Sequence, residues 1–110
     1  LQREYRLFLE DILKAIARIE GYVGNREKKA FLSDQLLVDA TLRNLEIIGE
    51  AAGNIPEAVQ RKHPKVPWRD VKNFRNTAIH KYWVVDEEIL WDIVENELSP
   101  LKKQIRTLLD

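Results

Sequence analysis

Tyr5, Leu9, Ile12, Ile16, Ile19 and Val23 recur at alternating intervals of four and three residues. That period is one face of an α-helix; a strand would alternate with a period of two. A helix with a single apolar stripe must have the stripe covered, so further helices are needed to pack on it. This first helix is expected from about Gln2 to Tyr22, ended by Gly21 and Gly24-Asn25.

The rest of the chain supplies the partners. Asn25 to Leu32 reads as a connection with one helical turn at most, and Phe31 as its contribution to the core. Ser33 or Asp34 is placed to cap a second helix from about Asp34 to Ala52, stopped by Gly53-Asn54. Leu36, Leu37, Val38, Leu42, Leu45, Ile47 and Ile48 make it apolar on more than one face. Such a helix is central in its bundle or shared with a second subunit. Its polar residues Asp39, Arg43, Glu46 and Glu50 form one stripe. The stripe is either solvated and laced by i,i+3 and i,i+4 pairs or, at Arg43 and Glu46, beside a catalytic cleft or dimer interface.

Pro56 to Arg61 reads as a short helix with Pro56 in its first position. His63-Pro64-Lys65-Val66-Pro67 is a stiff loop, and His63 is read as a loop residue without a role. Pro67-Trp68 opens another helix, with Trp68 as an apolar anchor and Val71, Phe74, Ala78 and Ile79 inward, ending near Lys81 or Tyr82. Asp86 caps the last helix, which carries Ile89, Leu90, Ile93, Val94, Leu98, Leu101, Ile105 and Leu108 inward. Pro100 should kink or interrupt it. No strand-like alternation and no internal repeat is visible. The expected fold is all-α, an antiparallel four-to-five-helix bundle with a kinked last helix, forming a single domain over residues 1–110.

Composition narrows the chemistry. Without Cys, disulfides and thiolate metal sites are excluded, and two His cannot build a multi-histidine site within one chain. A carboxylate Mg²⁺ site has no clear motif, and no metal or cofactor is expected. No apolar run approaches the roughly 18–20 residues of a membrane span. No secretory leader is visible, so a cytoplasmic location is expected. The formal net charge of zero argues against a broad basic surface coating nucleic acid. Charge is nevertheless segregated. Arg61, Lys62, Lys65, Arg69, Lys72, Arg75 and Lys81 share a stretch in which Asp70 is the only acid, whereas Asp86 to Glu97 is acidic.

Within the basic stretch, Arg75-Asn76-Thr77-Ala78-Ile79-His80-Lys81-Tyr82 concentrates two cations, an amide, a hydroxyl, an imidazole and a phenol. A guanidinium is a planar donor fork suited to phosphate, and an imidazole takes and returns protons near neutral pH. The pattern fits metal-independent RNA cleavage. His80 would deprotonate a ribose 2′-hydroxyl, Arg75 would hold the non-bridging oxygens, and Asn76, Thr77 and Lys81 would bind or orient. Residues five apart on an ideal helix differ by about 140° in azimuth, so Arg75 and His80 do not share a face. They converge if the helix ends near His80, if the arginine reaches round, or if a symmetric partner brings a second copy. A dimer is favoured because the second helix is too apolar for a small monomer.

The chain resembles HepT-type ribonuclease toxins of the HEPN superfamily. The resemblance runs through Asp11-Ile12-Leu13, Leu42-Arg43-Asn44-Leu45-Glu46-Ile47-Ile48-Gly49-Glu50-Ala51, His63-Pro64, Pro67-Trp68, the Arg-x4-His-x-Tyr motif at Arg75, His80 and Tyr82, and Asp92-Ile93-Val94-Glu95-Asn96. It implies a helical bundle that dimerises with the motifs facing a shared cleft. It implies that Arg75 and His80 are the catalytic pair of a metal-independent RNase, the toxin half of a toxin–antitoxin system. It also implies a minimal nucleotidyltransferase antitoxin that can transfer AMP to Tyr82. Relatives commonly carry Gly where this chain has Lys81. Two other readings stay open: a non-catalytic helical partner of a nucleotidyltransferase, and a helical dimerisation module with no nucleic-acid role.

Overall fold

The computed structural model describes residues 2–110. Helix α1 (Gln2–Val23) buries Leu9, Ile12, Ala15, Ile16 and Ile19, with Tyr5 and Val23 partly covered, as the period requires. It stops at Gly24, whose φ of +53° is the left-handed conformation that ends many helices. A short α2 (Lys28–Leu32) then inserts Phe31 into the core, its ring tilted against Trp91 at 5.7 Å between centroids.

Helix α3 (Gln35–Gly53) is the central element, packed along α1 on one side and α5 on another. Asp34 caps it, its carboxylate accepting from the Leu36 and Leu37 N–H groups. Val38, Leu45, Ile48, Ala51 and Ala52 are buried, together with the polar Thr41 and Asn44. Leu36 does not join them and is 81% exposed. Leu37, Leu42 and Ile47 are only partly buried, so one chain covers part of the apolar surface expected to need a second subunit and leaves part open.

Helix α4 (Glu57–Lys62) is preceded by Pro56, which occupies the cap rather than the first turn. Helix α5 (Trp68–Thr77) buries Trp68, Val71 and Phe74, and the Trp68 indole N–H donates to the His63 carbonyl at 3.1 Å. Trp68 is thus the expected anchor. The helix ends at Thr77, four or five residues earlier than the spacing predicts. Strands β1 (Ile79–Lys81) and β2 (Val84–Val85) follow as an antiparallel hairpin, with Tyr82-Trp83 as its turn. This hairpin corrects the expectation of an unbroken helix without strands.

Asp86 caps α6 (Glu87–Asp92), accepting from the Ile89 N–H at 3.1 Å. The chain continues through a π-helical turn (Ile93–Glu97) into α7 (Leu98–Leu109). The expected interruption takes this form. The Pro100 ring lacks an N–H and crowds the carbonyl one turn back, and the wider π turn just before it absorbs both defects. Leu90, Ile93, Leu98, Leu101 and Ile105 are buried, whereas Ile89 is 40% exposed rather than inward. The architecture is the all-α bundle, with the hairpin as its one non-helical element among the described residues. No described helix is long and apolar enough to cross a membrane.

Candidate active site

The close crossing of α3 and α5 sets the site. A Cβ built on Gly49 would lie 2.8 Å from the Lys72 carbonyl oxygen, too close for any side chain. Glycine weakens a helix interior, and here it does so where two backbones must approach. Beside the crossing, Leu45, Glu46, Gly49 and Glu50 of α3 face Lys72, Arg75 and Asn76 of α5 across an open cleft of about 250 Å³. Glu46 lines this cleft and also accepts from Arg43 at 2.9 Å, so it joins the solvated stripe to the candidate site. Arg43 does not line it.

Arg75 is half-buried in the last turn of α5. Thr77 closes that turn, its hydroxyl donating to the Phe74 carbonyl at 3.0 Å. Ala78 is fully buried, and its carbonyl accepts from the Asp86 N–H at 2.8 Å, tying the base of the hairpin together. His80 lies at an irregularity in the ladder. Ile79 pairs with Val85 and Lys81 with Val84, so β1 carries one residue more than β2 over that step. Such a bulge re-aims the side chain at it. His80 and Lys81 are exposed, and Tyr82 is 84% exposed at the turn.

Because α5 ends at Thr77, helical azimuth no longer relates Arg75 to His80. The hairpin doubles back, and the Arg75 guanidinium carbon sits 5.1 Å from the centroid of the Trp83 ring. Arg75 and the hairpin tip are thereby brought together. Among the described residues, no hydrogen bond joins Arg75 to His80. Tyr82 is the only described non-glycine residue with positive φ, at 55°. Lys81 therefore carries no left-handed strain.

The described residues contain no group of three or more His, Asp or Glu placed to hold a metal ion. Burial comes first in raising the pKa of Glu97, followed by the charges of Asp92 and Asp70 and a hydrogen bond with Asp92. Glu97 lines a different hollow, with Phe74 and Pro100, that includes no residue of the hairpin.

The sequence pattern of the family described as ribonuclease HepT-like matches residues 12–108. The chain belongs to that family. It is 39% identical over 108 residues, 98% of each chain, to a Thermococcus cleftensis protein carrying the name probable ribonuclease HepT. Two further relatives, provisionally named RNases, are each 36% identical. One, from Methanocaldococcus jannaschii, aligns over 98% of this chain and 89% of its own. The other, from Caldanaerobacter subterraneus, aligns over 94% and 93%. No solved structure matches.

Sequence reasoning missed two members of this region of the HepT-like fold. Trp83 lies one residue beyond the motif, and the β-forming run Tyr82-Trp83-Val84-Val85 was the available signal. Gly49 announced itself as a lone glycine inside a helical pattern, a common mark of close backbone approach.

Proposed function

We propose that the chain is a metal-independent endoribonuclease with Arg75 and His80 as its catalytic residues. The observation that carries this is the reversal of the chain after Thr77. It lays Trp83 of the hairpin against Arg75 and leaves His80 exposed at the bulge. His80 removes the proton from a ribose 2′-hydroxyl, and the 2′-oxygen bonds to the adjacent phosphorus as the bond to the 5′-oxygen breaks. Arg75 holds the non-bridging oxygens through the charge maximum, with Asn76 in the same cleft and Lys81 on the hairpin as further phosphate ligands. Thr77 contributes by closing α5, since its hydroxyl proton is given to a helix carbonyl. The products are a 2′,3′-cyclic phosphate and a 5′-hydroxyl, whose proton comes from water, Tyr82 or the His80 of a second copy. DNA, lacking the 2′-hydroxyl, is not cut.

The same reading makes the protein the toxin of a toxin–antitoxin pair. It works in the cytoplasm as a homodimer with its motifs facing one cleft, restrained by a minimal nucleotidyltransferase. Tyr82 suits the role of AMP acceptor because its phenol stands clear of the fold. Its oxygen attacks the α-phosphorus of ATP and pyrophosphate leaves. The added anion then occupies the place of a substrate phosphate near Arg75.

The test is incubation of total RNA in chelator with the wild type, His80→Ala and Arg75→Ala. Cleavage by the wild type alone is expected, with cyclic phosphate ends. Equal cleavage by all three removes the assigned site, and cleavage by none supports a non-catalytic partner of the nucleotidyltransferase. Intact mass after incubation with antitoxin and ATP is expected to show AMP on the wild type and none on Tyr82→Phe.

A further inference from the structure

We infer that Trp83 is a stacking platform for one nucleobase next to the scissile phosphate, backed by the Arg75 guanidinium. The inference rests on the ribonuclease reading and adds a base subsite to it. Trp83 is 78% exposed although it is among the largest apolar side chains in the protein. The fold gains no core from it there. Tyr82 beside it takes a left-handed φ of 55°, which side chains other than glycine rarely adopt, so the tip is held in a specific and unfavourable shape.

One face of the indole is covered by Arg75, 5.1 Å from the ring centroid, and the high exposure leaves the other face to solvent. A guanidinium on one face and an open ring on the other is the arrangement that single-stranded RNA uses, where splayed bases stack on aromatic rings and arginine planes. The geometry also links base to phosphate. Arg75 is the group assigned to the phosphate, so a base on the far face of Trp83 belongs to a nucleotide adjoining that phosphate. Charge supports the same division of labour. A chain of zero net charge cannot rely on counterion release alone for affinity, and stacking supplies binding that needs no charge. Tyr82, Trp83 and Val84 together form an exposed apolar tip that a protein could also cover. Arg75, His80 and Lys81 on and beside the same hairpin favour a polyanion with aromatic bases.

The test uses the intact chain and a short single-stranded RNA. Trp68 is buried and Trp91 packs on Phe31, so Trp83 dominates the solvent-sensitive fluorescence. RNA blocked by 2′-O-methyl groups is expected to quench the wild type, and Trp83→Phe is expected to lose that response. In cleavage, Trp83→Ala should raise KM by roughly fivefold or more with a smaller change in kcat, and Trp83→Phe should recover most of the loss. An abasic ribose on one side of the mapped cleavage site should raise KM for the wild type by a similar factor and not further for Trp83→Ala.

Fully additive effects of the two changes overturn the proposal, as does a loss confined to kcat, which would make Trp83 only a support for Arg75. A shift in dimer dissociation by Trp83→Ala, without coupling to the abasic site, assigns the tip to a protein interface and overturns it as well. Wild type that cuts RNA with an unresponsive Trp83 sinks this inference alone. Wild type that neither cuts nor binds sinks the ribonuclease reading with it.

Discussion

The α3–α5 crossing and the β1–β2 hairpin adjoin one another and are built on opposite principles. At the crossing, backbones approach so closely that Gly49 admits no side chain, and Val71 and Phe74 are sealed inside. On the hairpin, every residue from His80 to Val84 is exposed, and Tyr82 holds a backbone conformation that costs free energy. Arg75 is the joint, rooted in α5 with its guanidinium laid on Trp83. The contrast teaches that the bundle's stability and the proposed chemistry reside in different residues a few positions apart. Changes on one side should leave the other nearly untouched.

The largest expected effect breaks activity alone. His80→Ala should slow RNA cleavage by roughly 10²–10⁴-fold, the usual scale for losing a general base, while leaving the denaturation midpoint within error of wild type. The stability half of that statement follows from the exposure of His80 and is read by urea titration. A midpoint that falls as far as for a core substitution would show the hairpin to be part of the scaffold after all.

The mirror experiment is Gly49→Ala. The new methyl would meet the Lys72 carbonyl at 2.8 Å, and backbone cannot step aside as a flexible side chain can. A net loss of about 1–3 kcal/mol is expected, even though alanine is the better helix former by roughly 0.5–1 kcal/mol. Cleavage should weaken only as far as the cleft between the helices is displaced. A stabilised Gly49→Ala protein would mean that the crossing relaxes freely and does not fix Arg75.

The bundle side of this comparison was largely legible in the sequence, and the hairpin side was not. The spacing of Leu9, Ile12, Ile16 and Ile19 named the buried face of α1, and Asp34 and Asp86 announced their caps, because each is a local rule with one dominant outcome. The end of α5 had no such marker. Ala78 closes it in a right-handed conformation without glycine, and strands as short as Ile79–Lys81 and Val84–Val85 cannot display a period of two. The turn Tyr82-Trp83 also lacks the Asn-Gly or Asp-Gly signature of tight hairpins. The motif residues were named from their chemistry and from the resemblance. The contact of Arg75 with Trp83 depended on a chain reversal that only the tertiary structure reveals.

A smaller effect probes the strain at the tip. Tyr82→Gly removes a side chain that is 84% exposed and therefore contributes little to the core. It also relieves the left-handed φ of 55°. The relief, of order 1–2 kcal/mol, is partly offset by the greater freedom of glycine in the unfolded chain. A net gain of about 0.5 kcal/mol is expected in urea, with loss of any AMP acceptance. Reduced stability in this variant would show that the phenol packs in solution and that the tip is less independent than the contrast holds.

The smallest effect lies at Glu97, on the scaffold side, where the hollow it shares with Phe74 touches α5 from behind. Burial first, then the Asp92 and Asp70 charges, raise its pKa above the ordinary glutamate value. The folded protein therefore holds this proton more tightly than the unfolded chain does. Stability from the group is complete at pH below the unfolded value, declines as pH rises through the interval up to the raised folded value, and stays lost above it. Glu97→Gln keeps a neutral side chain at every pH and can still donate to Asp92. It should melt higher than wild type at neutral pH, on the order of a degree or two, with the advantage closing as pH drops below the glutamate range. Cleavage at neutral pH should be unchanged, because the hollow that Glu97 lines includes no residue of the hairpin. A variant that melts like wild type at pH 7 would show Glu97 to be solvated as an ordinary surface carboxylate. One that loses cleavage while gaining stability would show that the back of α5 is coupled to Arg75, and the two regions would then have to be treated as one.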